Sequence, residues 1–595
     1  MRSMGTYAIV DAPSRANYKD KQAAIRPHLR LEVQPHVALR LKRVFPRVDR
    51  YAREHIDLLL TDETARELEW FMQMYPLEPI GNAQALLSAA ARRHDSKLQL
   101  IEDIGSAAYV PPAVRLAVSP RQYQLVPAHV IVTSGSLLLG DDVGIGKTAS
   151  AIVLAATPGT LPMFFVTKTE LPRQVQAEFN RFAPDLTTHV VNDGKSHRGD
   201  KPLALARRVS CGERFPDVVI LSYSKLDGWA NFLAPYVRSL VFDEIQELRN
   251  GTSTARGAAA NLLAQRAAYR LGLSATPIYN HGGEMHAVLE FLAPGALGSY
   301  EEFQREWAGG YKGAVKDPAA LGTYLRQRGL YLRRTRADVG RELPPLSIIE
   351  QIVDHDASEL GAIEEEAAAL ARFILSGREL VRGQKMSAGG DLDWKLRHAT
   401  GIAKAPYVAA FVRLLVESGE KVLLYGWHHD VYDLWADRLQ DLKPVFYTGR
   451  QTINERAAAK QSFVNGESPV LVMSLRAGAG LDGLQQVPGA RTVVFGELDW
   501  SPGVHEQAIG RIHRDGIGDP VAAYFLVAED GSDPIVAEAL GLKKAQITGL
   551  RDPDAPEVTL RAEGERARTL AETYLRQRNL LKPVSALNQR RVEVA

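Results

Sequence analysis

Cysteine is almost missing from this chain: Cys211 stands alone among 595 residues. That excludes an intrachain disulfide framework and any cysteine-rich zinc site, and it fits a reducing cytoplasm. Net charge is nearly missing too. Lys and Arg total 72 against 70 Asp and Glu, for a formal charge of +2. A polyanionic partner would have to meet local basic surfaces, because no global field draws it in. No uninterrupted apolar run approaches the roughly 18 residues that a bilayer demands. The nearest candidate, residues 151–166, is broken by Pro158, Gly159 and Pro162, so no membrane-spanning helix is expected. Residues 1–15 hold no apolar segment, so no secretory signal is expected there. Internal repeats and long low-complexity tracts are absent as well.

What is present is ordinary globular composition, 45% hydrophobic and 24% charged, which permits large buried cores. The length predicts about four structural units. Residues 29–33 alternate like a strand, and a capped helix is predicted from Thr61 or Asp62 to Met74, with Leu68, Phe71 and Met72 on one side. Pro111-Pro112 marks a boundary. From about residue 116 the pattern changes. Short apolar runs at 136–139, 163–167, 218–221, 240–242 and 271–274 alternate with helical stretches, the signature of a parallel sheet wrapped by helices. Residues 281–390 read as mainly helical, with glycine breaks at Gly309-Gly310 and Gly389-Gly390. A second alternation follows, with strands at 422–425, 445–447, 470–473, 492–495 and 523–526. A helix is expected over 561–577. The predicted architecture is α/β: an N-terminal α+β accessory domain (1–115), a first parallel-sheet lobe (116–280), a helical insertion and link (281–390), a second parallel-sheet lobe (391–550) and a helical tail (551–595).

Chemistry concentrates in a few segments. Gly140-Asp-Asp-Val-Gly-Ile-Gly-Lys-Thr148 lies where a buried strand feeds a helix N-terminus. Free backbone N–H groups and the positive helix end meet there, which suits a polyphosphate. Gly144 and Gly146 permit the tight path, Lys147 would pair with the β- and γ-phosphates, and Thr148 would hold Mg²⁺. A purely structural glycine turn is the alternative, and the loop departs from the usual pattern in carrying Asp141 where a glycine is standard. Downstream, Leu240-Val-Phe-Asp-Glu-Ile-Gln246 places two carboxylates at a strand's C-terminal end, where ligands of parallel sheets gather. Asp243 could hold Mg²⁺ and Glu244 could deprotonate the attacking water; a solvated acidic pair is the alternative. Leu273-Ser-Ala-Thr-Pro277 could link a nucleotide site to a bound polymer. Gln507, Arg511 and Arg514 are spaced so that one helical face would carry all three. Two guanidiniums aimed across a cleft can neutralise charge growing on a transferred phosphoryl group.

These segments, in this order over residues 118–550, resemble helicase superfamily 2, and within it the Swi/Snf-like ATPases. Arg121-Gln-Tyr-Gln124 resembles the family's opening motif, in which Gln124 would read adenine. Asp141–Thr148 matches the family's own loop, which carries an acid in place of the first glycine. Asp243-Glu-Ile-Gln246 matches the Asp-Glu-x-His box with Gln246 where His is usual. Leu332-Arg-Arg-Thr-Arg336 followed by Leu343-Pro-Pro345 resembles the Arg-Arg-Thr-Lys element between lobes. Ser474-Leu-Arg-Ala-Gly-Ala-Gly-Leu481, Val494–Pro502 with Trp500, and Gln507–Arg514 resemble the fifth motif, the Trp-Asn-Pro segment and the sixth motif, the last with Gly510 in place of an acid. The wording of the last two blocks is most similar to the compact annealing-helicase branch.

The resemblance implies two RecA-like lobes with ATP and Mg²⁺ between them. Arg121, Gln124, Asp142, Gly144, Ile145, Gly146, Lys147, Thr148, Gly480 and Gln507 would surround the nucleotide. Lys147, Glu244, Arg511 and Arg514 would be catalytic, Thr148 and Asp243 would hold the metal, and Thr276, Arg333, Arg334, Arg336, Ser474 and Trp500 would meet nucleic acid. Trp500 could equally pack in a core. The implied activity is a DNA-dependent ATPase that translocates on double-stranded or branched DNA, acting as a monomer, cytoplasmic and nucleoid-associated; the compact form and Ala/Arg-rich usage point to a bacterium or its virus. A strand-separating DNA or RNA helicase and a binding scaffold with an inactive ATPase are the alternatives. Residues 1–115 would be a DNA-structure recognition module or a structural brace. His281-Gly-Gly-Glu-Met-His286 has its carboxylate misplaced for a zinc helix, so no zinc is expected, and the His428-His429 pair reads as a loop or polymer contact.

Overall fold

The computed structural model describes residues 3–13, 25–45, 48, 52, 54–106, 108–142, 144–199, 201–275, 283–309, 314–336, 338–340, 343–362, 368–369, 382–475, 481, 483–538 and 540. The chain packs as two units. One comprises Met1–Gly140, Lys147–Pro277 and Gly282–Arg333; the other comprises Asp141–Gly146, Ile278–His281 and Arg334–Ala595.

The first unit opens with strands β1 (Gly5–Pro13) and β2 (Ile25–Val33), helix α1 (Pro35–Val44), β3 (Ile56–Leu59), α2 (Asp62–Met72), β4 (Glu78–Pro79) and α3 (Ala83–Gly105). The sheet order is β3-β2-β1-β4, with Tyr7 opposite Leu31 in the antiparallel β1–β2 pair. Alternation sends Tyr7, Leu29 and Leu31 into the core. The Thr61 hydroxyl caps α2 by accepting from the Thr64 N–H at 3.0 Å, and Leu68 and Phe71 are buried on its inner face. This small α+β body is fastened to the rest of the unit. Arg328 pairs with Glu63 and lies 3.9 Å from Glu67, and the Lys97 Nζ donates to the Ser134 carbonyl at 3.2 Å.

Beyond a stretch without helix or strand that contains Pro111-Pro112, α4 (Gln122–Ser134) leads into β5 (Ser136–Leu139), α5 (Lys147–Ala156), β6 (Met163–Thr167) and β7 (Thr188–Val190). A hairpin of β8 (His197–Arg198) and β9 (Lys201–Pro202) precedes β10 (Val218–Ser222), β11 (Ser239–Asp243) and β12 (Tyr269–Leu273). After a small hairpin, β13 (Ala308–Gly309) and β14 (Ala314–Val315), comes β15 (Tyr331–Leu332). The main sheet runs β15-β5-β12-β11-β6-β10-β7, with parallel pairing throughout. The five predicted apolar runs are β5, β6, β10, β11 and β12. Their residues are apolar at consecutive positions because helices cover both faces; all five residues of β6 and of β10 are buried.

The second unit holds β16 (Leu346–Val353), β17 (Val422–Gly426), β18 (Val445–Tyr447), β19 (Val470–Ser474), β20 (Thr492–Phe495) and β21 (Val521–Ala528). They form one parallel sheet in the order β16-β21-β20-β17-β19-β18. The two parallel α/β lobes are thus present as expected. Two features differ from expectation. Residues 346–353 fall in the stretch read as helical, yet β16 is the edge strand of the second sheet. Its exposed Ile348 and Ile352 leave no clean one-sided pattern. Gly389-Gly390 does not break the chain but lies inside the helix Arg382–Glu417. Each interior glycine costs about 1 kcal/mol, which burial of Leu392, Leu396, Val408 and Val412 from the same helix outweighs. Among the described residues, Gly390–Glu417 is the one helix long and apolar enough by composition to cross a membrane, and half of its apolar window is buried in the protein. The helix expected over 561–577 lies outside the described residues.

That long helix also carries a buried ion pair. Lys404 is fully buried and donates to the Leu526 carbonyl at 2.7 Å and to Asp533 Oδ2 at 2.5 Å, while Asp533 also accepts the Ala528 N–H at 3.0 Å. Removing one partner strands the other charge. Lys404→Met is therefore expected to destabilise the second unit by about 3–5 kcal/mol. Urea unfolding followed by hydrogen exchange at β21 amides checks this; an unchanged midpoint would show that the pair contributes nothing.

Candidate functional site: a phosphate-type loop beside an acidic strand end

Three neighbouring strands set the geometry of the first unit's site. β5 pairs with β12 and β12 with β11, all parallel. The ends of β5, β12 and β11 therefore emerge side by side, delivering Gly140, Ser274 and Asp243-Glu244 to one edge. Helix α5 begins at Lys147 and is pinned by buried Ile152, Val153 and Leu154. Its N-terminus stays at the sheet edge with Lys147 and Thr148 half-buried. Asp243 accepts the Thr167 hydroxyl at 2.8 Å on Oδ2, and its carbonyl accepts the Tyr223 hydroxyl at 2.9 Å. Burial, and next the adjacent Glu244 carboxylate, push the Asp243 carboxyl up to about 6, while the Thr167 hydroxyl, Lys168 and Lys147 pull it down. A carboxylate held this far from comfort favours a cation beside it.

Glu244 sits at φ 55°, ψ 55°, left-handed backbone that a side-chain-bearing residue seldom adopts. Such strain costs of order 1–3 kcal/mol and clusters at functional sites. The Gln246 amide, itself buried, donates to Glu244 Oε2 at 2.5 Å. Sequence reasoning missed Thr167 and Tyr223. The available signal for Thr167 was a hydroxyl closing the apolar strand Met163–Thr167. Nothing local marked Tyr223. Arg121 stands at the N-cap of α4, where its N–H donates to the buried Gln124 Oε1 at 3.0 Å.

The loop proper, Asp141–Gly146, belongs to the second unit. Gly144 and Gly146 adopt φ +88° and +95°, and Ile145 is buried. A Cβ on Gly144 would meet Arg336 Nη2 at 3.2 Å and Arg514 Cβ at 3.3 Å, so this turn requires glycine for backbone and for space alike. Arg334 and Arg336 are half-buried and held by partners within the chain. Arg334 pairs with buried Asp141, its N–H and Nε donating to Oδ1 at 3.0 and 3.1 Å and its Nη2 to Oδ2 at 2.5 Å. Arg336 donates to Asp142 Oδ2 from its backbone at 3.3 Å and to the His513 carbonyl from Nη2 at 2.9 Å. In the first unit, Arg333 Nη1 donates to the Gly140 carbonyl at 2.9 Å. The three guanidiniums expected to meet nucleic acid are thus each engaged by a carboxylate or carbonyl oxygen of the chain itself.

One expectation, that of the sixth motif, is corrected. Helix Pro502–Ile509 ends before Gly510, and His513 N–H returns to the Ile509 carbonyl at 2.9 Å. Gln507 is on that helix, whereas Arg511 and Arg514 lie in the turns after it, so the three do not share one helical face. Arg511, Arg514 and Gln507 are half-buried. Ser474 closes β19, and Trp500 Nε1 donates to Asp393 Oδ1 at 2.7 Å with its ring against the second lobe's core. His428, just after β17, is paired through Nδ1 with buried Glu497 Oε1 at 2.6 Å. Gly480, Thr276 and His281 lie outside the described residues.

Comparison with known proteins adds a family. A helicase conserved C-terminal domain matches residues 406–516, and an SNF2-related domain matches residues 63–362. An uncharacterized ATP-dependent helicase of Mycoplasma genitalium is 23% identical over 425 residues, covering 68% of this chain and 39% of the relative. The SWI/SNF-related matrix-associated actin-dependent regulator of chromatin subfamily A-like protein 1 of Xenopus tropicalis is 27% identical over 445 residues, covering 71% and 44%. The DNA annealing helicase and endonuclease ZRANB3 of Mus musculus is 26% identical over 469 residues, covering 74% and 41%. The chain spans about two-fifths of the length of these relatives. Among solved structures, the Sulfolobus solfataricus SWI2/SNF2 ATPase core in complex with dsDNA matches 76% of this chain and 100% of its own at 19% identity, with a TM-score of 0.35. With the SNF2-related domain matched over half its length and the helicase C-terminal domain after it, this chain belongs to the SNF2-related family of helicase-type ATPases.

Proposed function

We propose that the chain hydrolyses ATP to translocate on double-stranded DNA, with branched DNA as a further substrate. The observation that carries this reading is the strand order that sets the end of β5, from which the glycine–lysine segment continues, and the Asp243-Glu244 pair on either side of β12. The loop residues fit a triphosphate: positive-φ glycines allow a tight backbone path, and Lys147 adds charge at a helix start. Asp142, Gly144, Ile145 and Gly146 line this loop, with Arg121 and Gln124 for the base and Gly480 and Gln507 from the second lobe. The acidic partner fits Mg²⁺, held by Thr148 and Asp243, whose pKa is raised by burial and next by the adjacent Glu244 carboxylate. When bound, the cation would neutralise phosphate charge. Glu244 takes the proton of the attacking water, and Arg511 and Arg514 stabilise charge on the leaving phosphoryl group when the lobes close. Thr276, Ser474 and Trp500 are the proposed polymer contacts. The naming of one relative as a DNA annealing helicase supports DNA as that polymer.

Phosphate release measured side by side with duplex DNA, forked DNA, single-stranded DNA and RNA tests the reading. Duplex or forked DNA should stimulate turnover at least about tenfold more than single strands or RNA, a difference of roughly 1.4 kcal/mol in the transition state. Equal stimulation by single strands would favour a strand-separating helicase. No hydrolysis with any polymer would leave only a binding scaffold.

A further inference from the structure

The acidic residue that displaces the loop's usual first glycine has a partner. Asp141 is 1% exposed and the Arg334 side chain 13% exposed. The carboxylate takes three N–H groups of that one residue: its backbone N–H, Nε and Nη2. The pair sits within a longer ladder. β15 lies parallel to β5, with Tyr331 opposite Leu138 and Leu332 opposite Leu139. The pairing then continues past both strand ends: Gly140 N–H to the Leu332 carbonyl at 2.7 Å and Asp142 N–H to the Arg334 carbonyl at 3.1 Å. Arg336 N–H to Asp142 Oδ2 closes it. The segment that leaves the first lobe for β16 is thus hydrogen-bonded along the opening of the phosphate-type loop.

We propose that Asp141 and Arg334 are a latch through which the connection between the lobes sets the shape of the phosphate loop, both acting as positioning residues for ATP. The inference rests on the ATP reading of that loop. Leaving a buried carboxylate without its hydrogen-bonded cation is costly, so Arg334 holds the path of the loop's first turn. Any movement of the connecting segment therefore reaches the loop through bonds to its first two residues. The same pairing explains why an acid can replace glycine here: the side chain is needed as an anchor.

The test uses the full chain with duplex DNA and measures KM for ATP, kcat, the Kd for a fluorescent ATP analogue, and thermal stability. Arg334→Ala should raise both KM and Kd about 30-fold, the equivalent of one lost charge-assisted hydrogen bond of roughly 2 kcal/mol, with kcat at saturating ATP changed much less. Arg334→Lys, which keeps the charge but not the fork, should fall between Arg334→Ala and wild type. If the single variant is unstable, the double variant Asp141→Asn with Arg334→Ala removes the stranded charge and should fold, with KM still raised. A wild-type KM in Arg334→Ala, or a KM restored in the double variant, overturns the latch. Failure of the ATP reading shows differently: the wild-type chain would then not bind the analogue at all.

Discussion

Alanine at Lys147 is expected to abolish ATP hydrolysis, lowering kcat/KM by at least about 10³-fold, because it removes the ammonium proposed to stabilise the transferring phosphates. The fold should survive. Lys147 is half-buried at the first position of α5, and the helix is anchored by Ile152, Val153 and Leu154 rather than by the lysine. The substitution acts a second time through Asp243, since the Lys147 charge is one of the influences holding that carboxyl down toward 6. Without it the carboxyl rises and becomes a poorer cation ligand. Phosphate release in the presence of duplex DNA is the measurement. Retention of DNA-stimulated hydrolysis within tenfold of wild type would sink the proposed mechanism.

Glu244→Gln should separate binding from turnover. The substitution keeps shape and removes the proton acceptor, a role worth about 10²–10⁴-fold in rate. The Kd for nucleotide should stay close to wild type, because Glu244 lies at the end of β11 and not in the loop proposed to hold the phosphates. The Gln246 amide can still donate to the new side-chain oxygen, as it does to Glu244 Oε2, so the strained backbone at φ 55° keeps its support. Equilibrium binding of an ATP analogue together with single-turnover hydrolysis decides the matter. Turnover near the wild-type rate would remove Glu244 from the base role.

Much of the sheet architecture is legible in the sequence. A strand covered on both faces must be apolar at every position, and Met163–Thr167 or Val218–Ser222 can therefore be read without any partner in view. The same holds for the loop, whose glycines, lysine and threonine follow a buried strand and open a helix. β16 escapes because an edge strand mixes exposed apolar with polar residues and loses the period that marks it. The sixth motif is misplaced when helical spacing is extrapolated beyond Ile509, where the backbone turns at Gly510.

Sequence alone determined the two parallel lobes, the strand ends that bear chemistry and the family they resemble, because local burial and turn formation depend on neighbouring residues. Tertiary structure decided what those ends face. Strand order put β12 between the end of β5 and Asp243, and only folding brought Arg334 to Asp141 across 193 positions. An arginine beside an arginine reads as a basic patch until a buried carboxylate is seen to claim it. The pairing of distant charges is set by which of them the fold takes out of water, and no periodicity along the chain encodes that.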